Sequence, residues 1–386
     1  MYAWMRSGVL YLLFSSLLAY STVSLQVFAN QRPGTLVSVA STDLASMGLA
    51  STDSTLSDNT PSDPSTVLKA EDGLQTLLIN DQPQAVYIQG DDFSKPILLV
   101  LHGGPGFAMM PLLHQINTEL EKHFIVVNWD QRGAGLSFGI SISEESLSLA
   151  QLVDDAHVLT SALKQTFQRD KIYLLAHSFG TVIAMYLLEQ QPSDYYAYAG
   201  VGQLVSVVEN EQLSYDFALE KAQLNAHMQA INELVVVGRP NEEGEYLDDA
   251  GYEITAKWVA FFGGELVGKT DTGAIEETIL SHPPYLNQQE KWLQGWQLSQ
   301  ALFYDDQVWE FDFRTDLTSV EVPIYFLMGK YDQATPVTLV ADYYSLLQAQ
   351  DKRLIWFEHS AHFPFYEQPE LFNRTLIQLF RQHVSD

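Results

Sequence analysis

Residues 172–180 read Ile-Tyr-Leu-Leu-Ala-His-Ser-Phe-Gly, an apolar run that ends on a serine among small residues. An apolar run that is continuous rather than alternating is the pattern of a strand buried on both faces. Directly after it, Gly180–Gln190 takes up helical spacing. A strand that turns at once into a helix pushes a serine at the turn into the open. Small residues two before and two after that serine permit the close backbone approach. Ala176 stands at the first of these places, where glycine is usual, and Gly180 at the second. Ser178 is therefore the candidate nucleophile, with the positive end of the following helix aimed at it.

Working outward, the same kind of run recurs at Ile97–Leu101, Phe124–Val127, Pro323–Met328 and Leu354–Phe357, with helical spacing between, as at Leu149–Gln165. Alternating strand and helix predicts an α/β fold: a mostly parallel central sheet with helices on both faces. Leu74–Ile79 and Ala85–Gln89, joined through Asn80-Asp81-Gln82-Pro83, predict a strand pair at its start. Residues 204–319 interrupt the rhythm. Leu213–Val237 reads as one long amphipathic helix, followed by helical segments at Tyr252–Phe262 and Gln288–Leu302. So long a stretch predicts an inserted helical cap, with the core formed by residues 68–203 and 320–386. Trp258, Trp292, Trp296 and Trp309 fall in the cap, either as an apolar lid or as ordinary packing between its helices.

Attack on a carbonyl generates an oxyanion that needs two convergent N–H donors. Phe179, next to the nucleophile, supplies one. The glycine-rich loop His102-Gly103-Gly104-Pro105-Gly106, after the strand Ile97–Leu101, supplies the other. Pro105 has no N–H, so Gly104 is the first choice and Gly103 the second. The serine also needs a base, and the base an orienting acid, in the chain order Ser, acid, His. Asp332 follows the strand Pro323–Met328 within Gly329-Lys330-Tyr331-Asp332, where sites of α/β sheets assemble. Asp305, Asp306, Asp312 and Asp316 follow no core strand. His359 and His362 both follow Leu354–Phe357, and His362, ahead of Phe363-Pro364-Phe365, is the expected base. Asp130, Arg132, His102 and His177 read as structural, with Asp130 and Arg132 a loop pair shaping the floor of the site.

The chain carries 48 acidic against 20 basic side chains, a net charge of −28, so phosphate backbones are repelled and nucleic acid is excluded as a partner. It has no cysteine, which removes disulfides and a thiol nucleophile. No His, Asp or Glu cluster has metal-ligand spacing, and no phosphate loop or dinucleotide fingerprint occurs, so neither a metal nor a cofactor is expected. Residues 1–29 combine Arg6, an apolar stretch and the small-x-small triplet Val27-Phe28-Ala29, the pattern of a signal peptide, with an uncleaved membrane anchor as the alternative. Residues 30–67, rich in Ser, Thr, Asp, Pro and Gly, read as a flexible linker. An exported protein, periplasmic or secreted and possibly tethered, is the expectation.

HGGPG at 102–106, W-D-Q-R-G-A-G-x-S at 129–137, the serine turn, G-x-x-D at 329–332 and A-H-F-P-F-x-E-Q-P at 361–369 together resemble the proline iminopeptidase family, serine aminopeptidases of the α/β-hydrolase fold. The resemblance spans Leu98 to the C-terminus. It implies removal of an N-terminal residue, often proline, from a small peptide, without metal or organic cofactor. It also implies Ser178, Asp332 and His362 as the triad, with Gly104 and Phe179 as oxyanion donors. In that family cap glutamates bind the free amino group of the substrate. Glu209 and Glu211, in V-V-E-N-E-Q, are the candidates by position. An esterase or lactonase acting on small acyl substrates with the same machinery is the alternative, and a non-catalytic binding protein on this fold a more remote one.

Overall fold

Asn80 and Asp81 both take positive φ, 46° and 60°, and so make a two-residue turn whose twist matches paired strands. Gly73–Ile79 (β1) folds back through it onto Gln82–Gln89 (β2) in antiparallel register. The turn is tighter than the four-residue connection expected, and Pro83 lies inside β2, opposite Leu78.

The remaining strands are Ile97–Leu101 (β3), Ile125–Trp129 (β4), Ile172–His177 (β5), Tyr195–Val201 (β6), Ser319–Val320 (β7), Ile324–Gly329 (β8), Gln348–Ala349 (β9) and Lys352–Phe357 (β10). Eight of them form one sheet in the order β1-β2-β4-β3-β5-β6-β8-β10, and β7 pairs with β9 apart from it. Pairing is parallel from β4 to β10, and only β2 runs against its neighbours. The computed structural model describes residues 67–383 apart from 140, 141, 143–145 and 249. The signal-peptide or anchor reading of 1–29, and all but the last residue of the linker, lie outside these. Among the described residues no helix is long and apolar enough to cross a membrane.

Every residue of β3, β4, β5 and β8 is buried. Strand alternation sorts them into two cores. Leu99, Leu101, Leu174, Phe326 and Met328 face one, filled by the helices Leu149–Phe167 and Gly180–Gln190. Leu98, Val100, Tyr173, Leu175 and Leu327 face the other, filled by Met110–Ile116 and Pro369–Phe380. Four of the aliphatic runs thus became central strands, covered on both sides, whereas Leu354–Phe357 lies in β10 at the sheet's edge, part-buried with Trp356 exposed. The strand that periodicity did not point to is β6, Tyr-Tyr-Ala-Tyr-Ala-Gly-Val, where tyrosines and small residues replace the aliphatic run.

Between β6 and β8 the chain leaves the sheet. The expected single helix Leu213–Val237 is two, Val207–Leu224 and Met228–Val237. They break at Asn225-Ala226-His227, where Ala226 has φ 50° and the His227 ring caps the second helix by accepting from Ala230 N at 3.2 Å. Three further helices of eight residues or more follow, Ala250–Phe261, Gly273–Leu280 and Gln289–Ser299. This excursion has its own apolar cluster, in which Tyr215, Leu234 and Trp258 are buried, while Trp292 belongs to one of the sheet's cores.

Candidate active site

β5 delivers Ser178 to the carboxyl end of the parallel strands with φ at +52°, a left-handed conformation unfavourable for any residue with a Cβ. Ser178 N donates to Val201 O at 2.9 Å, and the Ser178 carbonyl accepts from Thr181 N at 2.8 Å, opening the helix at once. Ser178 is part-exposed while its neighbours on both sides are buried. Ala176, in register with Leu101 and Gly200, is buried with its methyl accommodated, so a first glycine is not required here.

The loop after β3 reaches the same point. A Cβ on Gly103 would stand 2.6 Å from Ser178 Cβ and 2.8 Å from His177 O, so only glycine fits against the serine. The next peptide carries the N–H of Gly104, which is exposed with φ at +115°. Among the described residues no acceptor is paired with the N–H of Gly103, Gly104 or Phe179. The buried His102 shapes this loop. Its Nε2 accepts from Gln131 N at 3.2 Å, so its proton sits on Nδ1, facing Gly103 O at 2.9 Å. Burial lowers its pKa to about 4, so it stays neutral.

Asp332 and His362 come together after β8 and β10. Asp332 is fully buried and His362 nearly so, with His362 Nδ1 2.9 Å from Asp332 Oδ2. That bond places the imidazole proton on Nδ1 and leaves Nε2 basic. Thr335, which motif reading passed over, holds the carboxylate by donating its N–H to Oδ1 and its hydroxyl to Oδ2, each at 2.8 Å. A Thr three residues after an Asp was the available signal, since this spacing lets the side chain cap a turn. Burial works against the charged imidazole of His362, but the Asp332 charge and hydrogen bond outweigh it and raise the pKa. His359 is exposed, its backbone tied to Gln368 Oε1 at 3.0 Å. The A-H-F-P-F-x-E-Q-P motif thereby acquires a structural meaning. Glu367 accepts from Ala361 N at 2.7 Å and Val267 N at 2.8 Å, and Gln368 accepts from His359 N, so both fix the histidine loop.

Ser178 and His362 are linked through their neighbours. The carbonyl of Val201 takes the N–H of Ser178, and the next residue, Gly202, lies against the imidazole. A Cβ there would be 2.6 Å from His362 Cε1. The His177 ring packs on the His362 ring at 4.6 Å between centroids.

The excursion closes over this end of the strands through named contacts. Gln333 N donates to Gly264 O and His362 N to Glu265 O, both at 2.9 Å, so adjacent excursion residues hold the acid loop and the base loop. Trp292 Nε1 donates to Ala108 O at 2.8 Å, and Gln300 Nε2 to Pro105 O at 3.2 Å. Tyr285 donates its hydroxyl to Asp130, whose other oxygen takes Leu136 N at 2.7 Å. Asp130 and Arg132 are both structural, as expected, but not as partners. Arg132 pairs with Asp155 at 2.7 Å and 2.8 Å, and Asp130 with the excursion.

The expected substrate-binding acids both lie on the excursion helix Val207–Leu224. Glu209 is ion-paired with Arg314, and Glu211 sits part-buried beside Tyr246 among the excursion helices. The carboxylates whose charge acts on His362 are Asp332, Glu265 and Glu367. Glu265 is part-buried, its pKa raised to about 7 chiefly by burial, and among the described residues no basic side chain pairs with it. Nothing in the local sequence Phe262-Gly263-Gly264-Glu265 marks it, because its place depends on how the excursion docks.

The alpha/beta hydrolase family pattern matches residues 97–375. Over 318 residues the chain is 31% identical to a probable aminopeptidase, YbaC, of Bacillus subtilis (strain 168), covering 81% of this chain and 97% of that protein. It is 25% identical over 279 residues to a proline iminopeptidase of Heyndrickxia coagulans, covering 71% of this chain and 86% of that one. The crystal structure of proline iminopeptidase from Mycobacterium smegmatis superposes with a TM-score of 0.57 at 17% identity, covering 81% of this chain and 98% of the other, a likeness of fold.

Proposed function

The chain belongs to the alpha/beta hydrolase family, and from that premise we propose that it is a serine aminopeptidase acting through an acyl-enzyme. The observation that carries the proposal is a serine at positive φ beside a buried His–Asp pair at 2.9 Å. Ser178 attacks the carbonyl of the substrate's N-terminal residue. His362 Nε2 takes the hydroxyl proton and later passes it to the departing amine. Asp332 keeps the imidazole in the right tautomer and stabilises its charged form. The N–H groups of Phe179 and Gly104 receive the oxyanion, with Gly103 lying against the serine to bring the loop close. Water then releases the acyl group by the same base.

Aminopeptidase chemistry also needs an acid for the substrate's ammonium, and we assign that role to Glu265. Its support is its place on the excursion next to His362 and the lack of a basic partner among the described residues. A bound ammonium would supply the missing counter-charge and hold the acid ionised. The likeness to a probable aminopeptidase supports the same reading. Export, with residues 1–29 removed, is part of the proposal. N-terminal sequencing of the mature protein checks it.

The test compares the full chain with Ser178→Ala on aminoacyl anilides, prolyl included, with free and acetylated N-termini, and on short acyl esters. Serine-dependent cleavage confined to free-amine anilides is the expected result. Cleavage of esters alone, indifferent to an amine, overturns the aminopeptidase reading. Full activity in Ser178→Ala overturns the serine mechanism.

A further inference from the structure

His177 is the last residue of β5, directly before the nucleophile, and the mechanism above does not use it. It is 4% exposed, and its Nε2 lies 3.0 Å from the backbone carbonyl of His362. A carbonyl only accepts, so the imidazole proton must be on Nε2. The other nitrogen, Nδ1, is then a lone-pair acceptor, and it is buried with no hydrogen-bond partner. The ring borders a small cavity whose other walls include Val100, Met109, Leu113 and Phe365, which offer no side-chain donor. Burial drives the ring's pKa well below its usual value, so His177 stays neutral throughout the working range.

An orphaned buried acceptor in a native protein calls for a reason, because leaving it unpaired is unfavourable. A plain apolar residue would fill the same space without that cost. What it could not do is donate to His362. The backbone of His362 is gripped on both sides of its Cα: its N–H by Glu265 O of the excursion at 2.9 Å, and its carbonyl by His177 at the serine turn. Ring contacts of 4.6 Å to His362 and 4.7 Å to Phe363 fix the imidazole of His177 in the orientation that this bond needs.

We infer that His177 is a positioning residue for the base: its Nε2–H ties the His362 backbone to the residue next to the nucleophile, setting the base's reach to Ser178. The inference rests on the serine mechanism proposed above. It places the donor function in a side chain, so it can be removed without touching Ser178, His362 or Asp332. Phe keeps the ring and loses the donor. Gln loses the ring and carries an amide N–H at the level of Nε2. Asn carries one only at the level of Nδ1, short of the carbonyl.

The experiment uses the full chain and its H177F, H177Q and H177N variants. It measures kcat and KM on a free-amine prolyl anilide, and the rate at which a fluorophosphonate labels Ser178. The result expected for H177F is a loss of about ten- to hundredfold in kcat, the scale of a misplaced catalytic group, with a matching fall in labelling and no change in KM. H177Q restores most of both rates, and H177N does not. Should H177F fail to fold, the contrast between H177Q and H177N carries the test alone. Equal rates in H177Q and H177N, or wild-type rates in H177F, overturn the inference while leaving the serine mechanism standing. A wild-type enzyme whose Ser178 is not labelled and whose Ser178→Ala variant stays active overturns the mechanism, and the inference falls with it.

Discussion

The strand-end loops and the helical excursion build the site in opposite ways. At the strand ends, placement is a matter of backbone. Ser178 is held at positive φ, Gly103 is pressed where no Cβ fits, and Asp332 is fixed by the N–H and hydroxyl of a residue three positions on. In the excursion, placement comes from docking. Glu265, Tyr285 and Trp292 reach the core from separate segments, Glu265 through a backbone bond and the other two through their side chains. We draw from the contrast a division of labour, with the loops supplying the chemistry and the excursion selecting the substrate.

The sharpest way to break that division is at the acid. Asp332→Asn keeps the size of the side chain but loses the charge and favours the wrong imidazole tautomer. We expect kcat to fall by about 10⁴-fold, as for the orienting acid of a serine triad. The pH profile gives the sign independently. The proposed mechanism needs neutral His362, and the pKa of His362 lies above the usual 6.5 because of Asp332. Wild-type kcat/KM should therefore fall on the acid side with a midpoint above 6.5, and the residual activity of the variant should extend to lower pH. A midpoint below 6.5 in wild type would contradict the geometry of the pair.

Next in size is Gly103→Ala. The new methyl meets the Ser178 side chain and the His177 carbonyl, neither of which is free to move. A loss of about 10²-fold in kcat is expected from displaced reacting groups, together with a lower melting temperature from the overlap. Wild-type turnover would show that the loop does not rest on the serine.

A change on the excursion side should act on stability first. Tyr285→Phe removes a hydrogen bond from a buried carboxylate, a loss of about 1–3 kcal/mol read by thermal or denaturant unfolding. Burial already raises Asp130 to about 7. A carboxyl raised in the folded state contributes stability that is full below its unfolded pKa and lost as pH rises through the folded value. Removing the tyrosine's hydrogen bond raises that value further, so the variant should fall progressively behind wild type as pH rises above about 7. A gap independent of pH would mean that Asp130 does not ionise through the bond with Tyr285.

The same contrast explains what the sequence made legible. Aliphatic runs buried on both faces announced β3, β5 and β8, and the small-x-Ser-x-Gly turn announced Ser178, because in each case the local backbone has few other options. His362 over His359 also followed from position in the chain, and Glu367 and Gln368 now give that position a physical cause. β6 escaped notice because its tyrosines and alanines carry no aliphatic run, although it is as central as its neighbours. The helix break at Ala226 escaped because a left-handed alanine has no sequence signature. Glu265 escaped for a deeper reason. Proximity along the chain favoured Glu209 and Glu211, whereas proximity in space depends on how the excursion packs against the acid and base loops.

The measurement that tests the division most directly is the ratio of kcat/KM for a free-amine over an N-acetylated prolyl anilide, in wild type, Glu265→Gln and Glu209→Gln. The account predicts a large ratio in wild type that collapses in Glu265→Gln, while fluorophosphonate labelling of Ser178 proceeds at the wild-type rate. Glu209→Gln, which loses only a surface ion pair with Arg314, should keep both. A ratio unchanged in Glu265→Gln, or one lost in Glu209→Gln, would contradict it.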